Sequence, residues 1–217
     1  DNGSSKSTTL NVLKQAEERW PDRIRLAREP DKKGTAYALD AALNIADQET
    51  VYFSKADSDD IFHPARERLR VQAMGKHPDT AIVYENYLAM YYEPMPRTVP
   101  IILQPFDRDT ILMDSYIPGN SMWRSSVYEG PHAIPRTFLY DGYEGKANHH
   151  AEDYNLWLRI TDNHDSFWLD CDPAYTWTYR IYKDSKYMRD RKGVDYARAL
   201  VQYQARVRRG KLRPEDP

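Results

Sequence analysis

Cysteine is nearly absent: the 217-residue chain has one, Cys171, so no internal disulfide is available and the fold depends on its core. That usage fits a reducing compartment. Long apolar runs are missing too, which excludes a membrane-spanning helix, and the opening residues do not read as a signal peptide. Net charge is nearly missing, with 31 basic against 33 acidic residues, so no global field argues for nucleic acid as a partner. No Gly/Ser-rich or Pro-rich linker divides the chain. With 41% apolar and 29% charged residues it has the balance of a soluble globular protein, long enough for one α/β domain with a real core.

Aromatic residues are plentiful, with 17 tyrosines and 5 tryptophans. Carbohydrate sites use such rings, whose faces stack on sugar C–H groups; ordinary packing is the plainer explanation for any one of them. The tail "YQARVRRGKLRPEDP" is basic until its last residues. It reads as a solvated helix end and loose terminus, with peripheral contact at a membrane surface as the sharper alternative.

Along the chain, "DNGSSKSTT" is turn chemistry. "TTLNVLKQAEERW" carries Leu10, Leu13, Ala16 and Trp20 near helical spacing, with Thr8 or Ser7 as candidate cap and Pro21 as stop. "RIRLARE" alternates as a short strand would. "TAYALDAALNIAD" is a helix buried on one side, and "TVYFSKA" is a strand. "HPARERLRVQAMGKHP" is a helix beginning near Pro64. "TAIVYENYLAMYY" reads as strands, with a hairpin as one arrangement. Glu93 to Pro118 holds Pro94, Pro96, Pro100, Pro105 and Pro118 and is expected to be irregular. "PGNSMWRSSVYEG" is expected to turn into a short helix. "HHAEDYNLWLRITDN" is an amphipathic helix with Tyr154, Leu156, Trp157 and Ile160 on its apolar face, "SFWLDCDPAYTWTYRIY" is strand-rich, and "GVDYARALVQYQARVRR" is a closing helix.

Alternating strands and helices predict a mostly parallel sheet, in which ligands bind beyond the carboxyl ends of the strands. "ADSDD" falls at such an end. Asp57 and Asp59 suit a hard cation, since magnesium and manganese take oxygen ligands and often only one or two protein carboxylates beside phosphate. The alternative is a helix cap, a role that fits Asp60 ahead of "IFHPARERL". Three crowded carboxylates exceed what a cap requires, because like charges repel.

In this order, "DNGSSKST", Gly34 heading a helix, "ADSDDIFHP", "GNSMWRSSVY", "AEDYNLWLRI" and "YRIYKDS" resemble the family 2 glycosyltransferases over Asp1 to about Ser185. The resemblance implies an α/β GT-A fold, the Rossmann-like fold of nucleotide-diphospho-sugar transferases, with a mostly parallel central sheet flanked by helices. It implies an inverting transfer from a nucleotide-diphosphate sugar, most often a UDP-sugar, to a carbohydrate or other hydroxyl acceptor, with Mn2+ or Mg2+ as cofactor. Asp1 then lies near the nucleotide base, and Asp57, Ser58 and Asp59 form the Asp-x-Asp motif at ribose, diphosphate and metal, with Asp59 as the metal ligand. Asp153 matches the catalytic base, with Glu152 beside it; Asn120, Ser121, Met122 and Trp123 match a segment lining donor sugar and acceptor. Trp123 reads equally as sugar platform or core. The implied organisation is a transferase domain over 1–185 and a helical extension packing on it over 186–217. The implied location is the cytoplasm, with the cytoplasmic face of a membrane as an alternative.

The chain departs from the pattern in four places. Family members carry a strand and helix of about 35 residues before this turn, so the domain is expected to be N-terminally truncated. Lys6 replaces the turn's second Asp. Leu39 and Asp40 fall where an Arg and an Asn are common, leaving Lys32 or Lys33 to meet the phosphates. Tyr182 stands where many members carry a metal-ligating His. Two other classes stay open: a non-catalytic glycan- or nucleotide-binding module derived from a transferase, and a nucleotidyltransferase, which would need a Gly-rich basic phosphate loop that these residues lack.

Overall fold

The computed structural model describes residues 1–28, 31, 33–93, 95–140, 151–183 and 190–211. Five α-helices are present among them: α1 (Ser7–Arg19), α2 (Thr35–Asn44), α3 (Arg66–Lys76), α4 (Glu152–Ile160) and α5 (Arg191–Arg208). Eight strands accompany them: β1 (Tyr52–Ser54), β2 (Ile61–Phe62), β3 (Thr80–Glu85), β4 (Tyr87–Tyr91), β5 (Arg97–Ile101), β6 (Met122–Arg124), β7 (Asp165–Leu169) and β8 (Trp177–Ile181).

The strands form two four-stranded sheets, ordered β1-β6-β3-β7 and β2-β8-β4-β5. Only β3 with β7 and β4 with β8 run parallel; the other described pairs are antiparallel. The expectation of a mostly parallel sheet is therefore corrected to mixed sheets. The cause is β6: the chain reaches it through an irregular segment rather than a crossover helix, and it slots antiparallel between β1 and β3.

The sequence pattern places α1, α2, α3, α4 and α5 and the strands β1, β3, β4, β7 and β8. The structure differs in the following details. "RIRLARE" forms no strand over its described residues, and α1 is entered from Lys6 with no side-chain cap, so neither Ser7 nor Thr8 fills that role. β3 and β4 do not make a hairpin; Asn86, 1% exposed, carries the chain from one sheet to the other. Its carboxamide oxygen accepts from Leu103 N at 2.9 Å and Trp168 Nε1 at 3.0 Å, and its Nδ2 donates to Cys171 O at 3.0 Å. β4 instead pairs with β5, which lies in the proline-bearing segment expected to be irregular. Pro100 is tolerated there because β5 is an edge strand. The stretch after Gly119 does turn into a short helix, of 3-10 type over Ser125–Tyr128, but only after strand β6, which the sequence did not announce.

The main core joins elements from α2 to α5. Ala36 of α2, Ile82 and Tyr84 of β3, Leu156, Trp157 and Ile160 of α4, and Ala197, Val201 and Ala205 of α5 belong to one buried cluster. Leu39 packs against it, and the Asp40 carboxylate beside it accepts from Phe138 N at 2.5 Å and from the Thr137 hydroxyl. The apolar stripe read in "AEDYNLWLRI" faces this core, which fixes which side of the first α4 turn looks outward.

Candidate active site

Beyond β1 the chain turns through Lys55, Ala56 and the acidic cluster. Asp60 does not cap α3: strand β2 intervenes, and the helix is entered from Ala65 with no side-chain cap. Its carboxylate accepts from Asn120 Nδ2 at 2.7 Å and from Arg180 N at 3.1 Å. Burial, reinforced by the charges of Asp57 and Asp59, pushes Asp60 up to about 6 against those two hydrogen bonds.

Asn120 is the joint of the site. While its Nδ2 holds Asp60, its Oδ1 accepts the Asp57 backbone N–H at 3.2 Å. Its backbone carbonyl is gripped by two buried guanidinium groups: Arg70 donates at 2.5 Å, and Arg66 donates as well. Both arginines, each 1% exposed, also bind Glu85, at 2.6 Å for Arg70 Nη2 and 3.1 Å for Arg66 Nε. Burial and the neighbouring Arg70 charge lower Arg66 to about 10 despite Glu85 and Glu67. The loop carrying Asn120 is thus clamped from beneath by two charged side chains of α3.

A cavity of about 260 Å³ opens above this clamp. Asp57 and Asn120 border one side, Asp153 and Tyr154 at the start of α4 another, and Tyr87, Trp177 and Tyr179 of the second sheet a third. Val194 and Arg198 bring α5 to its rim. Tyr87 stacks on Trp177 with centroids 4.5 Å apart, and Trp177 stacks in turn on Phe62 at 6.3 Å. The Asp153 Oδ1 accepts the Tyr154 N–H at 2.7 Å. Its Oδ2 lies where Gly119 has no side chain: a Cβ there would sit 2.1 Å from that oxygen.

Of the candidates read from sequence, Asp57, Asn120 and Asp153 share this cavity. Asp59 and Ser58 are exposed beside it on the same turn, and the Asp59 backbone carbonyl accepts from the Arg180 side chain. Ser121, Met122 and Trp123 are buried, at 1%, 3% and 2% exposure. Trp123 resolves to core, stacked on Phe53 at 5.5 Å with its Nε1 donating to the Tyr128 hydroxyl. Glu152, 7% exposed, sits under the first α4 turn. Asp1 is turned into its own loop, accepting from Ser4 N at 3.3 Å and Ser4 Oγ at 2.5 Å. That loop meets the segment holding exposed Lys33, through Asn2 Oδ1 accepting from Gly34 N at 3.2 Å. Lys32 lies outside the described residues. Tyr182 stacks on Tyr92 at 4.6 Å.

The sequence profile described as Glycosyl transferase family 2 matches residues 1–129. The chain belongs to that family. No curated protein is a significant match. Membership carries a GT-A type of α/β fold, a glycosyltransferase type of function, and a nucleotide-sugar donor with an acceptor. The matched span includes Asp57, Asp59 and Asn120 and stops before α4. Among the described residues, no helix is long and apolar enough to cross a membrane.

Sequence reasoning missed Lys55, Arg66, Arg70, Tyr87, Trp177 and Arg198. Lys55 left a signal, a lone cation at the buried end of an apolar strand immediately ahead of carboxylates. The others left none, because their positions depend on pairing between distant segments.

Proposed function

We propose that the chain is an inverting glycosyltransferase that moves a sugar from a nucleotide-diphosphate sugar, UDP the leading nucleotide, to a hydroxyl acceptor, with Asp153 as general base. The observation that carries this reading is the meeting of Asp57 and Asp153 in one cavity, the first from within the family's matched span and the second from the α4 segment beyond it.

In this reading the donor lies along Asp57–Asp59, with the segments holding Asp1 and Lys33 towards its nucleotide. The acceptor enters on the side of Trp177, Tyr87 and Tyr179, whose rings suit a sugar face. Asp153 takes the proton of the acceptor hydroxyl as its oxygen attacks the anomeric carbon, and the bond from that carbon to the diphosphate breaks on the opposite face. The Tyr154 N–H on Oδ1 leaves Oδ2 to receive the proton. Residues 1–185 form the transferase unit, and the extension over 186–217 closes the cavity through Val194 and Arg198.

A divalent cation fits only in part on the protein side. Among the described residues no group of three or more His, Cys, Asp or Glu could hold one. Exposed Asp59 suits a cation that arrives with the donor and is completed by phosphate oxygens, the usual manner of magnesium. Bound there, Mn2+ or Mg2+ would neutralise charge on the departing diphosphate.

The test is calorimetric titration of UDP, with GDP as comparison, with and without manganese, followed by product analysis with UDP-sugars. Asp153→Asn should bind UDP within about threefold of the parent and lose transfer by about a hundredfold or more. Normal transfer by Asp153→Asn would remove the assignment.

A further inference from the structure

A second hollow lies against the other face of α4. Asp153 and Tyr154 border the transfer cavity, whereas Asn155 and Arg159 border a groove of about 470 Å³. A helix turns by about 100° per residue, which sets these two pairs on nearly opposite sides of it. Gln204 and Arg208 of α5 line the same groove, and Pro135 and Leu139 give it an apolar wall. Each helix thus supplies two residues four apart, the spacing that puts side chains on one face.

The chemistry of this groove is one-sided. Asn155 is 1% exposed, and its Nδ2 is buried without an acceptor among the described residues. Arg159 is half-buried, and its terminal nitrogens donate to the carbonyls of Pro135, at 3.0 Å, and Thr137. Both partners are neutral, and the buried Arg159 Nε has no acceptor among the described residues. Burial is the chief cause that lowers Arg159 to about 10; the Arg208 charge adds to it, and Tyr128, Asp40 and Asp162 offset only part. Among the described residues no carboxylate lines the groove. Burying a donor without an acceptor, or a cation without a counter-charge, is costly, and an anion with acceptor oxygens answers both.

We propose that this groove is a ligand site for a small organic oxyanion, a carboxylate or phosphate on a compact apolar body. Asn155 Nδ2, Arg159 Nε and the Arg208 guanidinium take the oxygens, and Pro135 and Leu139 take the body. Its chemistry is the reverse of the transfer cavity's, where Asp57 and Asp153 line the wall and Asp57 is met by Lys55 at 3.1 Å. The site lies beyond the transferase reading and does not depend on it. Its occupant would rest on the helix that brings Asp153 to the other cavity.

The experiment titrates phenyl phosphate, benzoate and neutral phenol separately into metal-free, 15N-labelled protein. It reads the Arg159 Nε–H signal, with the Asn120 side-chain amide reporting from the transfer cavity. At least one of the two anions should shift Arg159 saturably while phenol does not, and the tighter anion names the head group. Arg208→Met should weaken that binding about fivefold or more. Arg208 and Arg209 each hold Asp162 at 2.7 Å, so this variant leaves Asp162 paired. Asn155→Asp keeps the side chain's shape, sets a carboxylate in the groove and should abolish binding. If it does not fold, Asn155→Leu replaces it and should weaken binding about threefold or more. No shift of Arg159 with either anion, equal binding of phenol, unchanged affinity in Arg208→Met, or a shift confined to Asn120 overturns the proposal. UDP titration runs alongside: a parent protein that binds the anion at Arg159 but not UDP would keep this site and lose the transferase reading.

Discussion

Asn120 Nδ2 donates to Asp60 Oδ2 at 2.7 Å while Asn120 Oδ1 accepts from Asp57 N, so one carboxamide fastens both ends of the acidic turn. Asn120→Ala removes both bonds and leaves a half-buried carboxylate short of a donor. We expect a loss of about 1–3 kcal/mol in urea unfolding and a clear fall in UDP affinity. Stability lost with UDP binding untouched would show that the turn keeps its shape without this joint.

The paired arginines beneath Asn120 make a sharper case. Glu85→Ala strips the shared carboxylate from Arg66 and Arg70, each 1% exposed, and leaves two like charges buried together. The expected cost is about 3–5 kcal/mol, read as a lower urea midpoint. Changing Arg70 to Met in the same chain should recover part of it, since one of the uncompensated charges then disappears.

Asp59 offers an exposed carboxylate, and it is its backbone carbonyl, not its side chain, that Arg180 holds. Asp59→Ala should therefore change stability by less than about 0.5 kcal/mol. Manganese-dependent UDP binding should weaken at least about tenfold, a difference of about 1.4 kcal/mol. Equal manganese dependence in parent and variant would move the cation elsewhere.

Cys171 supplies a check on the environment near the sheet crossing. Burial, aided by the charges of Glu85, Asp170 and Asp172, pushes its thiol up to about 11. Because the thiolate is the reactive form, alkylation by iodoacetamide should be slow at neutral pH and rise about tenfold per pH unit until the thiol's own pKa is approached. A rate that levels off near pH 8.5, the ordinary value, would contradict that placement.

What could be read in advance follows from the range of each signal. The stripe of Tyr154, Leu156, Trp157 and Ile160 encodes a helix locally, and because it must face the core it also orients Asp153. The strand before Asp57 announces itself by its apolar residues. Trp123 could not be assigned from its own neighbourhood, since the same ring serves a platform or a core; its contacts with Phe53, Phe138 and Trp157 come from three separate segments. Likewise the pattern of Arg66, Glu67 and Arg70 suits a solvated helix face, and only the arrival of Glu85 beneath it makes the arginines internal. The split into two sheets hinges on Asn86, whose partners lie at Leu103, Trp168 and Cys171, beyond any local window.

The pairing of β6 between β1 and β3 has a consequence in time. A ribosome delivers the acidic turn about a hundred residues before it delivers Asp153, on the order of 5–20 s at usual synthesis rates. During that interval β1 lacks its described sheet neighbour, because Tyr52 awaits Arg124 and Phe53 awaits Trp123. The nascent chain thus holds Asp57 and Asp59 before Asp153 exists, and on the proposed reading transfer becomes available only once α4 and α5 have brought Asp153, Val194 and Arg198 to the cavity.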